Sequence, residues 1–229
     1  MTYLKGFLRL RAAFAIGVIA VVSVAATSAQ ARALDGGGIK KLLGGASDNA
    51  LDKLSKPGAF YADTAVRILL PGAKGKLASK LLKTGDKLGV TTKLTKSLND
   101  AAGFAAQEAK PVFRSAVDGL SLADVPGIAF KNDGATEYLK KSADTDLRLK
   151  VRPLIISALT KVGAFSQLEK MGSAGGLLSL AKLDRESLTE SVTDQTMKGI
   201  YNYMAKEEAD LRGNALGIGK SLIDAVIKK

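Results

Sequence analysis

The sequence predicts an all-α fold, a single compact multi-helix domain that carries one extended segment near residues 59–70 and lies behind an N-terminal leader. Three observations predict it. From about Ala73 to the C-terminus, apolar residues recur at spacings of three and four, the period of one helix face. Leucine and alanine, both strong helix formers, dominate that apolar set. Finally, only one run past the leader, PGAFYADTAVRILLPG at residues 57–72, alternates with the period of a strand. A strand needs partners for its N–H and C=O groups, and no second such run exists to supply them. The run therefore reads as a tether laid across helices.

The leader is the strongest local signal. Lys5, Arg9 and Arg11 precede an uncharged stretch from Phe14 to Ala26, and small-x-small cleavage patterns follow at Ala29-Gln30-Ala31 and Ala31-Arg32-Ala33. Residues 1–31 are expected to be a cleaved signal peptide, giving a periplasmic or secreted protein that starts at Arg32 or Leu34. The apolar stretch is shorter than the roughly 20 residues that span a bilayer, which argues against an uncleaved anchor. With no cysteine and no histidine in 229 residues, disulfides, thiolate zinc sites, cysteine nucleophiles and imidazole chemistry are excluded. No cofactor is expected. Setting aside the three basic residues of the leader leaves 31 against 22 acidic, a moderate excess of +9.

The elements follow in order. Residues 32–45, including DGGGIKKLLGG, look like a flexible stretch because glycine makes helix entropically costly, and the helical domain is expected to run from 46 to 229. Ser47 to Leu54 forms a first short helix closed by Lys56-Pro57-Gly58. In the tether, Val66, Ile68 and Leu70 should be buried and Arg67 should be a structural anchor aimed at a carboxylate or at helix-end carbonyls. Strand addition to a partner or a second copy is the alternative, although no other feature supports a homo-oligomer. A helix over about 73–88 carries Leu77, Leu81 and Leu88 on one face. Leu94, Leu98, Ala102, Ala105, Ala109, Val112 and Ala116 continue the period to Leu120, with a kink or two abutting helices at Pro111.

Ser121 with Asp124 has capping-box spacing and should start a short helix, and Asn132-Asp133-Gly134 is a turn. Helices over about 135–141 and 144–162 follow, the second ended by Gly163 in a left-handed cap. A short helix near 165–171 leads to a longer one over about 186–211, with Leu188, Val192, Ile200, Tyr203 and Met204 inward. A last helix spans about 219–228.

Several motifs invite chemistry, and each has a plainer explanation. Asn214 to Ser221, NALGIGKS, is one residue from a P-loop, yet a helix precedes it where a buried strand is required. Its glycines read as a flexible joint. Ser179 and Lys182 have serine–lysine spacing without the companion motifs of acyl-transfer enzymes. Glu186 with Glu190, and Glu207 with Glu208 beside Arg212, are carboxylate pairs that could run hydrolysis without histidine. On an amphipathic helix they more simply form the solvated side, Glu208 to Arg212 having the favourable i,i+4 order. Asp144 and Asp146 lack the ligand count of a calcium loop and suit the first turn of a helix. No catalytic or metal residue is assigned.

The feature that exceeds solubility is a lysine stripe, Lys76, Lys80, Lys83 and Lys87, within a run from Arg67 to Leu98 holding eight basic residues and one acid. Asp184 to Asp210, by contrast, holds seven acids and three bases. The four lysines are the candidate contact to an anionic lipid or an envelope polymer, with salt-sensitive vesicle binding as the signature. Nucleic acid is not expected, because no aromatic platform accompanies them and export removes the chain from it.

Four stretches together resemble a known family. NALDKLSKPGAFYADTAVRILLPG, FAAQEAKPVFRSAVDGLSLADVPGI with Glu108 to Pro111, ATEYLKKSADTDLRLKVRPLIISALTKVGAFSQ, and SVTDQTMKGIYNYMAKEEADLR with Gly199, Glu207, Glu208 and Arg212 resemble, in this order, the bacterial domain of unknown function 4197. The resemblance covers about Leu42 to the end and implies an all-helical exported protein, with no activity to carry over. Leu69 stands where that family often has a second proline, and Gly213-Asn214-Ala215 replaces a stretch usually closed by proline. The reading is an exported protein that binds or scaffolds in the cell envelope, with a carboxylate-dependent periplasmic hydrolase as the alternative.

Overall fold

The computed structural model describes residues 36–71, 89–121, 128, 131–173 and 183–227. Seven helices are found among them: α1 (Gly36–Leu54), α2 (Ala59–Ala62), α3 (Val90–Glu108), α4 (Lys110–Asp118), α5 (Gly134–Lys161), α6 (Ala164–Ser173) and α7 (Arg185–Ile227). There is no strand among the described residues, and one continuous apolar core runs from Ile39 on α1 to Met204 on α7. No helix there is long and apolar enough to cross a membrane. The leader, the 73–88 helix with Lys76, Lys80, Lys83 and Lys87, Asp124 of the expected capping box, and Ser179 with Lys182 lie outside the described residues.

Several boundaries differ from expectation for identifiable reasons. Helix α1 begins at Gly36 instead of Ser47, because Ile39 and Leu43 project into the core and their burial outweighs the entropy lost at the glycines. The predicted pair over 135–162 is one helix. Pro153 sits inside it on the outer face, where water can take the carbonyl of exposed Leu149 that a proline cannot serve. Asp144 is thus mid-helix, not in a first turn. The glycine-bearing segment Gly213–Gly219 is likewise helical, so α7 runs unbroken for 43 residues, glycine being costly in a helix but not forbidden. The break at Pro111 falls as expected: α3 ends at Glu108 and α4 begins at Lys110, with the proline in its first turn where a missing N–H is harmless; the end of α1 at Leu54 and the left-handed Gly163, φ 71°, after α5 do so too. That break also shifts the inward face, burying Phe113 and Val117 and leaving Val112 and Ala116 partly buried.

Helix α7 is the central strut. It packs on α1, α5 and α3, and α3 in turn lies on α5; Ala101, Ala102, Ala105 and Ala106 of α3 and the adjoining Ala109 are all essentially inaccessible. Its start is a reciprocal cap: Ser187 N–H donates to Asp184 Oδ1 at 2.7 Å, while Asp184 N–H donates to Ser187 Oγ at 3.0 Å. Those bonds hold the Asp184 carboxyl below its ordinary pKa, the Ser187 backbone N–H contributing most. Helix α5, by contrast, has no cap from its own Asp133 and receives one from α7 instead.

Candidate functional site

The tether crosses α7 and answers how a lone extended segment survives in a helical protein. After Gly58, which has the left-handed φ of 76°, the single turn of α2 buries Phe60. Asp63 then folds the chain. Its Oδ1 accepts the Ala65 N–H at 2.9 Å, its Oδ2 accepts the Tyr203 hydroxyl at 2.8 Å, and its carbonyl accepts the Val66 and Arg67 N–H groups. The Ala65 N–H first, and the Tyr203 hydroxyl second, hold the Asp63 carboxyl below its ordinary pKa. Burial first, and then Asp63, raise that of Tyr203.

The chain is extended only over about 67–70, a shorter stretch than the sequence suggested. Two side-chain amides replace the missing strands. Asn99 on α3 accepts the Ile68 N–H at 2.8 Å and donates to the Ile68 carbonyl at 2.9 Å. Gln195 on α7 does the same for Leu69, accepting and donating at 2.8 Å. Each carboxamide thus serves as a one-residue strand edge. Val66, Ile68 and Leu70 are buried as the alternation requires, and Val66 and Phe60 press on Gly199, where an added Cβ would sit 3.3 Å and 3.0 Å from them. Because the backbone polar groups of Ile68 and Leu69 are already paired, they are not open to strand addition.

Between the tether and the first four turns of α7 lies a groove of about 680 Å³, lined by Thr64 to Arg67 and Leu69 to Pro71 on one side and by α7 residues from Ser187 to Gly199 on the other. Leu69 forms its rim at 54 % exposure, with its backbone pinned from both flanks. Arg67 donates from Nε to the Tyr61 carbonyl at 2.6 Å and lies 4.8 Å over the Tyr61 ring, at the end of α2. Lys198 lies in the same wall, with Asp194 and Glu190 about one and two turns nearer the N-terminus. Asp194 pairs with Arg148, which also donates to Asp144 at 2.7 Å. Beneath them Tyr201 is buried and edge-on to Phe113 at 6.3 Å; burial, and secondarily Asp144, push its phenol well above the ordinary range.

The other sequence candidates fall elsewhere. Glu186 accepts from one terminal nitrogen of Arg152 on both carboxylate oxygens, at 2.5 and 2.7 Å, on an exposed face. Glu207 and Glu208 are buried, not solvated: Glu207 pairs with Lys53 of α1, and Glu208 is wholly inaccessible. Glu208 accepts the Ala135 N–H at 3.0 Å, the Thr136 N–H and hydroxyl at 2.7 Å, and two contacts from Arg212. It is the missing cap of α5, a carboxylate set against the positive end of a helix by a different helix. Asn214 to Ser221 lie within α7, so the segment is not a phosphate-binding loop. Among the described residues no three Asp or Glu side chains converge as a metal site would need.

Asn99, Gln195 and Asp63 were not singled out by sequence. The one signal for Asn99 is its place beside Leu98 and three residues before Ala102, on a face otherwise small and apolar. In comparison with known families, the model described as "Protein of unknown function (DUF4197)" matches residues 30–228. Comparison with curated proteins and with solved structures gives no match.

Proposed function

The chain belongs to the DUF4197 family of proteins of unknown function, and from that premise we propose that it is a non-catalytic binding protein of the cell envelope whose working surface is the groove between the tether and α7. The observation that carries this reading is Leu69. A large apolar side chain more than half exposed, at the mouth of a ligand-sized groove, with its backbone clamped by Gln195 and its neighbour's by Asn99, is held ready for contact at little ordering cost. Export by the leader and work in the periplasm or outside the cell belong to the same proposal. So does the role of Lys76, Lys80, Lys83 and Lys87 as the contact to anionic lipid or envelope polymer.

The hydrolase alternative finds less support. The carboxylates in the groove, Glu190 and Asp194, are exposed, and Asp194 is already bonded to Arg148, which it shares with Asp144. The buried carboxylates Glu207 and Glu208 line no part of the groove and are engaged by Lys53, by Arg212 and by the start of α5.

Fluorescence of N-phenyl-1-naphthylamine with the purified chain tests the groove. The wild type is expected to enhance it saturably, Leu69→Asp to abolish the enhancement with unchanged circular dichroism, and Leu149→Asp, more exposed still but on α5, to preserve it. Equal signals from all three proteins would overturn the reading.

A further inference from the structure

The groove carries opposite charges at its two ends. The register between tether and α7 is antiparallel: Leu69 is bonded to Gln195, and Val66 lies against Gly199. Arg67 therefore stands level with Lys198, and Pro71 lies toward Glu190. At the first end Arg67 spends only Nε on the Tyr61 carbonyl, and Lys198 is exposed with no partner among the described residues. Asp63 behind them is faced by Lys206, so two positive charges stay uncompensated there. At the second end Arg148 is shared between Asp144 and Asp194 and offsets only one of them. Glu190 beside them is exposed with no partner among the described residues, and the neighbouring Arg152–Glu186 pair is neutral. Two negative charges therefore stay uncompensated at that end. The walls differ as well. Val66, Leu69, Leu70 and Pro71 make the tether side aliphatic, whereas Ser187, Glu190, Ser191, Asp194, Gln195 and Lys198 make the α7 side polar throughout.

Resting on the groove reading above, we propose that the ligand is a short extended peptide with both termini free, its carboxylate between Arg67 and Lys198 and its ammonium at Glu190 and Asp194. It runs antiparallel to the tether. Lys198 and Glu190 are eight residues apart on α7, about 12 Å along the axis, which an extended peptide of about three or four residues spans. The two terminal nitrogens that Arg67 leaves unused match a carboxylate in two contacts, and Lys198 adds a point charge. A zwitterion answers both ends, which neither a monoanion nor a neutral ligand does. Peptide amides also supply donors and acceptors to the polar α7 wall, which a hydrocarbon chain would cover without pairing. The peptide's side chains then pack on Leu69, the exposed leucine of the opposite wall.

Isothermal titration calorimetry of the purified chain with the tetrapeptide Ala-Leu-Leu-Ala and its capped forms tests the assignment. The free peptide is expected to bind about tenfold more tightly than its N-acetyl form, and about tenfold more tightly than its C-terminal amide, the effect of one charge-assisted contact at each end. Lys198→Gln should cut the preference over the amide to about threefold or less and keep the preference over the N-acetyl form. Glu190→Gln should do the reverse. Lys161→Gln, which removes a charge outside the groove, should change neither. Binding of either capped form as tight as that of the free peptide would overturn the assignment, and so would variants that lose both preferences together or neither. No peptide binding by a chain that still enhances N-phenyl-1-naphthylamine fluorescence would overturn the peptide and leave the groove standing. Absence of both signals would overturn the groove reading itself.

Discussion

Asn99 and Gln195 perform the same act in different surroundings, and the difference decides what each is worth. Both give a full carboxamide to one residue of the tether, accepting its N–H and donating to its C=O. Asn99 is 2 % exposed, so removing it strands the Ile68 N–H and C=O where water does not reach. An unsatisfied buried polar group costs about 1–3 kcal/mol, and two are left here. Asn99→Leu is therefore expected to destabilise by about 2–4 kcal/mol. Gln195 is partly exposed and its bonds to Leu69 can be taken over by solvent, so Gln195→Ala should cost about 1 kcal/mol or less. Urea midpoints of the two variants check the contrast, and equal shifts would mean that the clamps do not differ in burial as described. Asp63 adds a pH dependence of defined sign. A carboxyl whose folded pKa is depressed contributes stability that is present above its unfolded value of about 3.9 and lost as the pH falls through the lower folded value, so the tether's first turn should loosen only in that acid window.

Two glycines on α7 show how an element's own preference and its packing compete. Alanine in place of glycine favours a helix interior by about 1 kcal/mol. At Gly213 an added Cβ meets nothing within 4 Å, so Gly213→Ala should stabilise by about 0.5–1 kcal/mol. At Gly199 the same methyl would lie 3.0 Å from the Phe60 ring and 3.3 Å from Val66 Cβ, both buried and neither free to swing away. Overpacking of that kind costs about 1–3 kcal/mol and should win, so Gly199→Ala lowers the thermal midpoint where Gly213→Ala raises it. A rise in both would mean that the tether is loosely seated. The same competition explains what could be read from the sequence. The long periodic faces of α3 and α7 and the alternation of Val66, Ile68 and Leu70 were legible because burial follows local spacing. The early start of α1 and the fusion of α5 and α7 were not, since burial of Ile39 and Leu43 and the mid-helix pairing of Asp144 with Arg148 override glycine content and capping signals. The groove was legible only as a list of its tether residues. Its other wall is supplied from more than a hundred positions away, the Leu69 to Gln195 bond spanning 126 residues, and one sequence carries no trace of that pairing.

At the scale of the whole molecule, α7 joins the separate pieces, and its decisive joint is Glu208. Along its length it takes Arg152 and Arg148 of α5 on Glu186 and Asp194, the tether on Gln195, Gly199 and Tyr203, and Lys53 of α1 on Glu207. Glu208 differs from these because it is both half of a buried ion pair with Arg212 and the cap of α5. Truncation separates neither role: Glu208→Ala should cost about 3–5 kcal/mol, since it leaves a nearly buried guanidinium without its carboxylate. Replacing both charges, Glu208→Leu with Arg212→Leu, removes the stranded cation, and a buried pair exchanged for apolar groups is often close to neutral. Here the exchange should fall short of recovery by about 1–3 kcal/mol, because the Ala135 and Thr136 N–H groups still need an acceptor and the start of α5 has none of its own. Chemical denaturation of the single and double variants, with hydrogen exchange at Ala135 and Thr136, separates the roles. A double variant as stable as wild type would show that α7 merely buries an ion pair beside α5. A persistent deficit with faster exchange at those two amides would show that one helix completes the other, which binds the end of the chain to its middle and makes the fold a single unit.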